Sequence, residues 1–336
     1  CSYSKTTNTV SPQLNYTHVE EVLLDYAFSP DGTTLSIYTN EGVYLYDLAT
    51  MDKTTIVRFE DKNYQPLYKS GAIAYSHDGL QMALSGRFED EPIKIFDTDS
   101  LEHISTISLG ISGYVVTELE FSPTNESIVI RNTWDSGCDH GPQDKLVLYN
   151  FVTQEIAFEV DKCAIYPPIR FHFTKDKNLF LYLQSMSPEY SAYFVDSSTG
   201  AINENPCEWG EEDGFFGSSS EANVQLLKKC VPAETLNKIH AKGNILLFSN
   251  INRYVIKNYS LETSEGEFPV ELWEKGEKVC EFETIRGYPP MKASANEQVF
   301  AFGNSHLIEH NIYDYRLFVW NVDSCEKIGV WQFDSG

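Results

Sequence analysis

The sequence predicts an all-β chain folded as a single β-propeller of four-stranded blades, and three observations carry that expectation. A short strand ending in an aromatic residue runs into a tight polar turn, and this unit recurs along the chain. Each turn is followed by an apolar strand, and each apolar strand by another that ends in an acidic or amide residue. Hydrophobic residues make up 42% of the chain and aromatics 13%, with 20 Tyr and 20 Phe, so strand-forming side chains are plentiful and a large core can be packed. Four strands per unit, repeated in order, define a propeller blade.

The turn signature reads Ala27-Phe28-Ser29-Pro30-Asp31-Gly32, then Ala74-Tyr75-Ser76-His77-Asp78-Gly79, Glu120-Phe121-Ser122-Pro123-Thr124-Asn125 and His172-Phe173-Thr174-Lys175-Asp176-Lys177. Degenerate copies lie near His240-Ala241-Lys242-Gly243 and Ser294-Ala295-Asn296-Glu297. Ser, Asp, Asn and Gly suit these positions because their side chains bond the local backbone or tolerate positive φ. The strands after the turns are expected at 35–38, 82–84, 128–130, 179–183, 245–248 and 299–302. The next strands end at Asp47, Asp97, Asn150, Asp196, Glu274 and Asn321, and outer strands at 55–59, 104–109, 156–160 and 328–333 close four of the units.

Six repeats are therefore visible. Residues 1–22 read as a polar tether with an N-terminal strand, and 23–336 as the propeller, with an insertion at about 207–236. That insertion holds either strands of a seventh blade or a short amphipathic helix at 222–229, so six and seven blades both stay open.

The Ser-Pro-Asp-Gly turns and aromatic-acidic strand ends resemble the WD-repeat superfamily over about residues 23 to 333. Phe28 and Tyr75 lie 47 residues apart and Tyr75 and Phe121 46, close to the roughly 40 to 45 of a WD-repeat blade. No Gly-His pair precedes the blades and no Trp-Asp dipeptide closes them, because Trp134-Asp135 falls in an expected loop. The chain thus looks like a divergent bacterial relative. The resemblance implies the propeller and a habit of binding proteins, and it transfers no site residues.

The balance of 25 Lys and Arg against 49 Asp and Glu, a net charge of −24, repels phosphate backbones and argues against nucleic acid as a ligand. No apolar run reaches the roughly 18 residues that a membrane-crossing helix needs. Membrane attachment is then expected to be covalent or through a partner. Cys1 is followed by the polar stretch Ser2-Tyr3-Ser4-Lys5-Thr6-Thr7-Asn8-Thr9. This resembles the mature form of bacterial lipoproteins, whose signal peptide is cut just before a lipid-modified Cys, and Ser2 rather than Asp is similar to those sent to the outer membrane. The resemblance implies lipidation at Cys1 and a place in the cell envelope, facing either the periplasm or the cell surface.

Of the seven cysteines, Cys1 set aside, six remain: Cys138, Cys163, Cys207, Cys230, Cys280 and Cys325. An even number suits disulfides in an oxidising compartment. In a blade, the second-to-third loop and the exit of the fourth strand share a face. Pairing 138 with 163 and 207 with 230 fits that face, and 280 with 325 fits the opposite face, where an outer strand starts beside the third-to-fourth turn of the next blade; these are one set among the 15 pairings that six cysteines allow.

Elaborate loops are expected on one face, at 132–145, 184–191, 207–235, 250–267 and 304–315. They carry aromatic and acidic groups: Trp134, Asp135, Asp139, Tyr190, Glu208, Trp209, Glu211, Glu212, Asp213, Phe215 and Phe216. Exposed aromatics anchor protein interfaces, and carboxylates set specificity and encounter rate. The same rings could instead fold back over the propeller end. His306-Leu307-Ile308-Glu309-His310 matches H-x-x-E-H, but zinc-protease chemistry needs that string on a helix, and here it falls in a loop. His306 and His310 are therefore weak metal candidates at most. No nucleophile elbow, phosphate-binding glycine loop or C-x-x-C pair occurs, and no cofactor is expected.

These features point to a non-catalytic, lipid-anchored adaptor or assembly subunit of an envelope or surface complex, with a protein partner. The rivals are a propeller hydrolase or lactonase working from the central channel, and a carbohydrate- or metal-binding surface lipoprotein.

Overall fold

The computed structural model describes residues 16–59, 71–86, 91–110, 113–138, 141–163, 170–173, 178–184, 190–203, 245–247, 253–257, 268–285, 291–309 and 312–333. Every regular element among them is a strand. None of the described residues forms a helix long and apolar enough to cross a membrane.

The strands form six antiparallel sheets in chain order. The first sheet is β2 (Leu23–Phe28), β3 (Thr34–Thr39), β4 (Gly42–Asp47) and β5 (Lys53–Arg58), and the second is β6 (Ile73–Tyr75), β7 (Gln81–Leu84), β8 (Ile93–Asp97) and β9 (His103–Ile107). The third is β10 (Val115–Phe121), β11 (Ser127–Cys138), β12 (Gly141–Asn150) and β13 (Glu155–Cys163). The fourth is β14 (Arg170–Phe173), β15 (Asn178–Gln184), β16 (Tyr190–Asp196) and β17 (Ile202–Asn203). The fifth is β18 (Ile245–Leu247), β19 (Arg253–Lys257), β20 (Phe268–Glu274) and β21 (Glu277–Ile285). The sixth is β22 (Met291–Ala293), β23 (Val299–Glu309), β24 (Ile312–Asn321) and β25 (Lys327–Phe333). A further strand, β1 (Tyr16–Val19), lies parallel to β25 and covers its outer edge.

The first repeated signature builds the turn between first and second strands. Ser29 accepts the Gly32 N–H on its carbonyl and the Thr34 N–H on its hydroxyl, which in turn donates to Asp31 at 2.6 Å. Ser76 repeats this with Gly79, Gln81 and Asp78, and Ser294 with Glu297, Val299 and Asn296. The fourth residue of the turn is left-handed in every copy described: Gly32 (φ 70°), Gly79 (75°), Asn125 (60°) and Glu297 (60°). Glycine adopts that conformation without steric cost, which explains its place in the two regular copies.

The second signature closes the third strand. Asp47, Asp97, Asn150, Asp196 and Asn321 each accept, on one side-chain oxygen, the N–H groups two and three residues on. These Asx turns make the acidic or amide strand end a structural requirement. The accepted bonds hold Asp47 and Asp97 below the usual carboxylate range, and bonds from Ser198 and Thr199 bring Asp196 down to about 2.

Apolar clusters join first to second sheet, second to third, third to fourth, fifth to sixth, and sixth back to first. Polar contacts reinforce these seams. Lys292 Nζ meets Asp25 at 2.6 Å, and the other Asp25 oxygen accepts the Ile73 N–H, so one carboxylate ties three first strands together. Glu120 likewise accepts the Phe173 N–H. Such bonds satisfy strand-edge donors that would otherwise point at nothing.

Three expectations are corrected. In the fifth sheet, 245–247 forms the first strand and Arg253–Lys257 the second, so the repeat there sits one strand later than the His240-Gly243 copy implies. The stretches 132–145 and 304–315, expected as loops, are largely the paired ends of long hairpins, with Trp134 opposite Gln143 and Ser305 opposite Tyr315. Strand pairing likewise takes up both ends of 184–191, Gln184 standing opposite Tyr190. The segment 204–244, which holds the insertion and the site of a seventh blade, lies outside the described residues.

Candidate functional site

Long hairpins mark one face of the molecule. Strands β11 and β12 run to 12 and 10 residues where β3 and β4 of the first sheet have 6 each. Pairing continues from Ser127 opposite Asn150 out to Cys138 opposite Gly141, so the hairpin projects beyond the sheet. Along β11, Ile128 and Ile130 pack toward the second sheet, and by strand alternation Asn132 and Trp134 follow in the same row. Asn132 is 3% exposed and Trp134 38%. The row thus passes from core to surface within one strand.

At its outer end Trp134 meets Tyr114, ring centroids 5.8 Å apart and tilted by 51°. Gly113 carries φ 84°, and a Cβ added there would come within 3.6 Å of the indole, so the chain entering β10 runs beside it. Tyr114 donates toward Asp161 at 3.5 Å, and Gln143 donates to the same carboxylate. Partial burial, and then the Asp161 charge, push the Tyr114 phenol up. It stays a neutral hydrogen-bonding group at physiological pH.

Behind this pair opens a cleft of about 310 Å³ between the second and third sheets. Pro92, Ile93, Ile107 and Val116 form apolar wall, Asn132 sits at depth, and Glu91 stands at the exposed rim. Across the third sheet, on its opposite side, Arg131 bridges the buried Asp144 at 3.0 Å and Glu118 at 3.4 Å, with Thr133 donating to Asp144. That network locks the base of the hairpin.

The expected site residues distribute as follows. Trp134 is on β11, exposed on one side and covered by Tyr114 on the other, and Asp135 follows it on the same strand. Tyr190 opens β16 on the same face. Asp139, Glu208, Trp209, Glu211, Glu212, Asp213, Phe215 and Phe216 lie outside the described residues, as do Cys1, Cys207 and Cys230. The backbones of Cys138 and Cys163 sit at the same end of the third sheet. Cys280 and Cys325 are joined as a disulfide, Cα atoms 6.0 Å apart, linking β21 to the turn before β25.

His306 belongs to β23, opposite Asp314, and His310 lies outside the described residues. The string H-x-x-E-H therefore enters a strand rather than the expected loop. Among the described residues no group of three or more His, Cys, Asp or Glu is arranged to hold a metal ion. Tyr114 and the deep position of Asn132 are not among the residues that sequence reasoning singles out. The available signal is an amide interrupting an apolar alternation at Ile128, Ile130, Asn132.

No family model matches the chain, and no curated protein matches it. Among solved structures it is similar to TolB from Acinetobacter baumannii, with 16% identity and a TM-score of 0.41 over 79% of this chain and 56% of that one. It is also similar to a eukaryotic initiation factor, with 10% identity and a TM-score of 0.42 over 96% of this chain and 81% of that one. The chain thus spans little more than half the length of TolB. The class to which the described residues belong is that of all-β proteins built from successive four-stranded antiparallel sheets.

Proposed function

We propose that this chain is a non-catalytic, protein-binding β-propeller, closed as a ring of six or seven four-stranded blades and held in the bacterial envelope by lipid on Cys1. The ring is supported by the apolar seam that returns from the sixth sheet to the first and by the Lys292–Asp25 pair across it. The exported location is supported by the Cys280–Cys325 disulfide, because such bonds persist in oxidising compartments.

The observation that carries the binding role is the Trp134–Tyr114 pair on the projecting β11–β12 hairpin. A half-exposed indole backed by a second ring, with Asp161 and Glu91 nearby, is the composition of an interface anchor with an acidic rim. The inner-strand carboxylates Asp25 and Glu120 are engaged in holding neighbouring strands, which suits a scaffold.

The test is capture of partners by the intact protein from detergent-solubilised membranes, compared with Trp134→Ala and with Val152→Ser, a substitution at an exposed turn on the opposite face. The expected result is one protein retained by the wild type and by Val152→Ser, with Trp134→Ala weakening it about thirtyfold, the loss of a typical anchor. Recovery of the chain alone contradicts the proposal. Mass spectrometry of the Cys1 peptide from the same membranes is expected to find it acylated.

A further inference from the structure

The cleft behind Trp134 has a feature that its apolar walls do not explain. Asn132 is buried to 3% exposure, it lines the cleft, and its Nδ2 finds no hydrogen-bond partner among the described residues. An aliphatic residue at this position would continue the Ile128 and Ile130 row and leave nothing unmatched. A buried amide donor without an acceptor weakens a fold, so its place at the bottom of an open cleft is suited to an acceptor that arrives from outside.

The volume of about 310 Å³ stands at the lower end of the range of ligand sites. It has room for one large aliphatic residue and part of its backbone. The walls are aliphatic, with one deep donor, whereas a sugar ring requires several polar partners around its rim. Anionic ligands are opposed by Glu91 at the mouth, by Asp161 beside Tyr114 and by the net charge of −24.

We propose that this cleft is a recognition pocket for a peptide segment of the protein partner. One aliphatic side chain packs against Ile93, Ile107 and Val116, and the adjoining backbone carbonyl accepts a hydrogen bond from Asn132 Nδ2. Lys or Arg beside the inserted residue meets the acidic rim. The assignment rests on the protein-binding role and adds to it the chemistry of what is bound.

Short synthetic peptides, each with one Leu, Ile or Val flanked by Lys or Arg, or by Asp or Glu, are titrated against the intact protein by fluorescence anisotropy. Base-flanked peptides are expected to bind and acid-flanked ones to fail. Asn132→Ala is expected to weaken binding about tenfold, as loss of a buried hydrogen bond does. Its melting temperature is expected to be equal to or above that of the wild type, because an unmatched donor has been removed. Ser108→Phe, at the exposed lip, provides a second variant that blocks the cleft without touching the core. Hydrogen exchange is expected to slow at 91–93 and 107–110 when peptide is bound.

Failure of every peptide to bind, or equal affinity in Asn132→Ala and Ser108→Phe, overturns the proposal. If a captured partner is lost by Trp134→Ala yet binds Asn132→Ala and Ser108→Phe at full strength, the cleft assignment falls and the protein-binding role stands. If no partner is captured and no peptide binds, both fall.

Discussion

Asp196 accepts hydrogen bonds from the Ser198 and Thr199 hydroxyls and from both backbone N–H groups, and these hold its carboxyl at about 2, against an ordinary value of about 3.9. Asp31, Asp47, Asp78 and Asp97 are lowered by bonds of the same kind, Asp78 despite the opposing effect of burial. A carboxylate depressed in the folded state adds stability above its unfolded value and loses it as the pH falls through its folded one. Urea midpoints are therefore expected to fall steadily between about pH 4 and pH 2. Asp196→Asn keeps the acceptor oxygen, as Asn150 and Asn321 do at the equivalent positions, and is expected to flatten part of that slope. A midpoint independent of pH in that window contradicts these turn assignments. A second residue-scale prediction follows from Glu297, which holds φ 60° where Gly32 and Gly79 stand in the regular copies. Glu297→Gly is expected to stabilise the protein by up to about 1 kcal/mol, because glycine adopts that conformation without strain. Thermal denaturation measures it.

At the scale of the element, the repeat is legible in the sequence wherever its side chains perform a fixed local task. The Ser turns and the Asx turns are such tasks, and the spacing of Ser29, Ser76, Asp47 and Asp97 along the chain marks them. The register of the fifth sheet is harder to read, because the turn-like composition of His240-Gly243 stands ahead of β18, the first strand, and not ahead of the second. In the sequence, Phe248-Ser249 repeats Phe28-Ser29 and falls between the residues of β18 and β19. The length of the β11–β12 hairpin is also hidden. Its outer half is rich in Asp, Gly and other polar residues, which reads as a loop, and its pairing is imposed by the network of Arg131, Asp144 and Thr133 at its base. The Asn132 cleft cannot be read locally, since its walls come from two sheets. The Cys280–Cys325 bond joins the fifth sheet to the sixth over a sequence separation of 45. Replacing both cysteines by Ala is expected to cost about 4 kcal/mol by loop entropy, measured by urea denaturation under identical buffer. A loss below about 1 kcal/mol would mean that the seam of Val255, Leu272, Phe300 and Trp320 holds these sheets without it.

For the whole molecule, the sixth sheet packs against the first, the contact that the proposed ring requires. Leu35, Ile37, Val319 and Trp331 share one buried cluster, Tyr26 donates to the Ala301 carbonyl, and Lys292 reaches Asp25 and the Tyr26 carbonyl. The turns interlock as well, Asn296 with Pro30 and Asp31, and Asn125 with His77. On the face carrying those turns, Leu80 and Val152 stand exposed as single side chains. Isolated exposed apolar residues are ordinary on protein surfaces. The opposite face combines the projecting hairpin, the Trp134–Tyr114 pair and the cleft that Asn132 ends. Binding is proposed there and nowhere else. Hydrogen exchange on the complex with the captured partner tests this most directly. Protection is expected to concentrate at 91–93, 107–116 and 131–145, with the turns around Leu80 and Val152 unchanged. Protection confined to those turns, or no difference between free and mixed protein, would contradict a binding face built on Trp134.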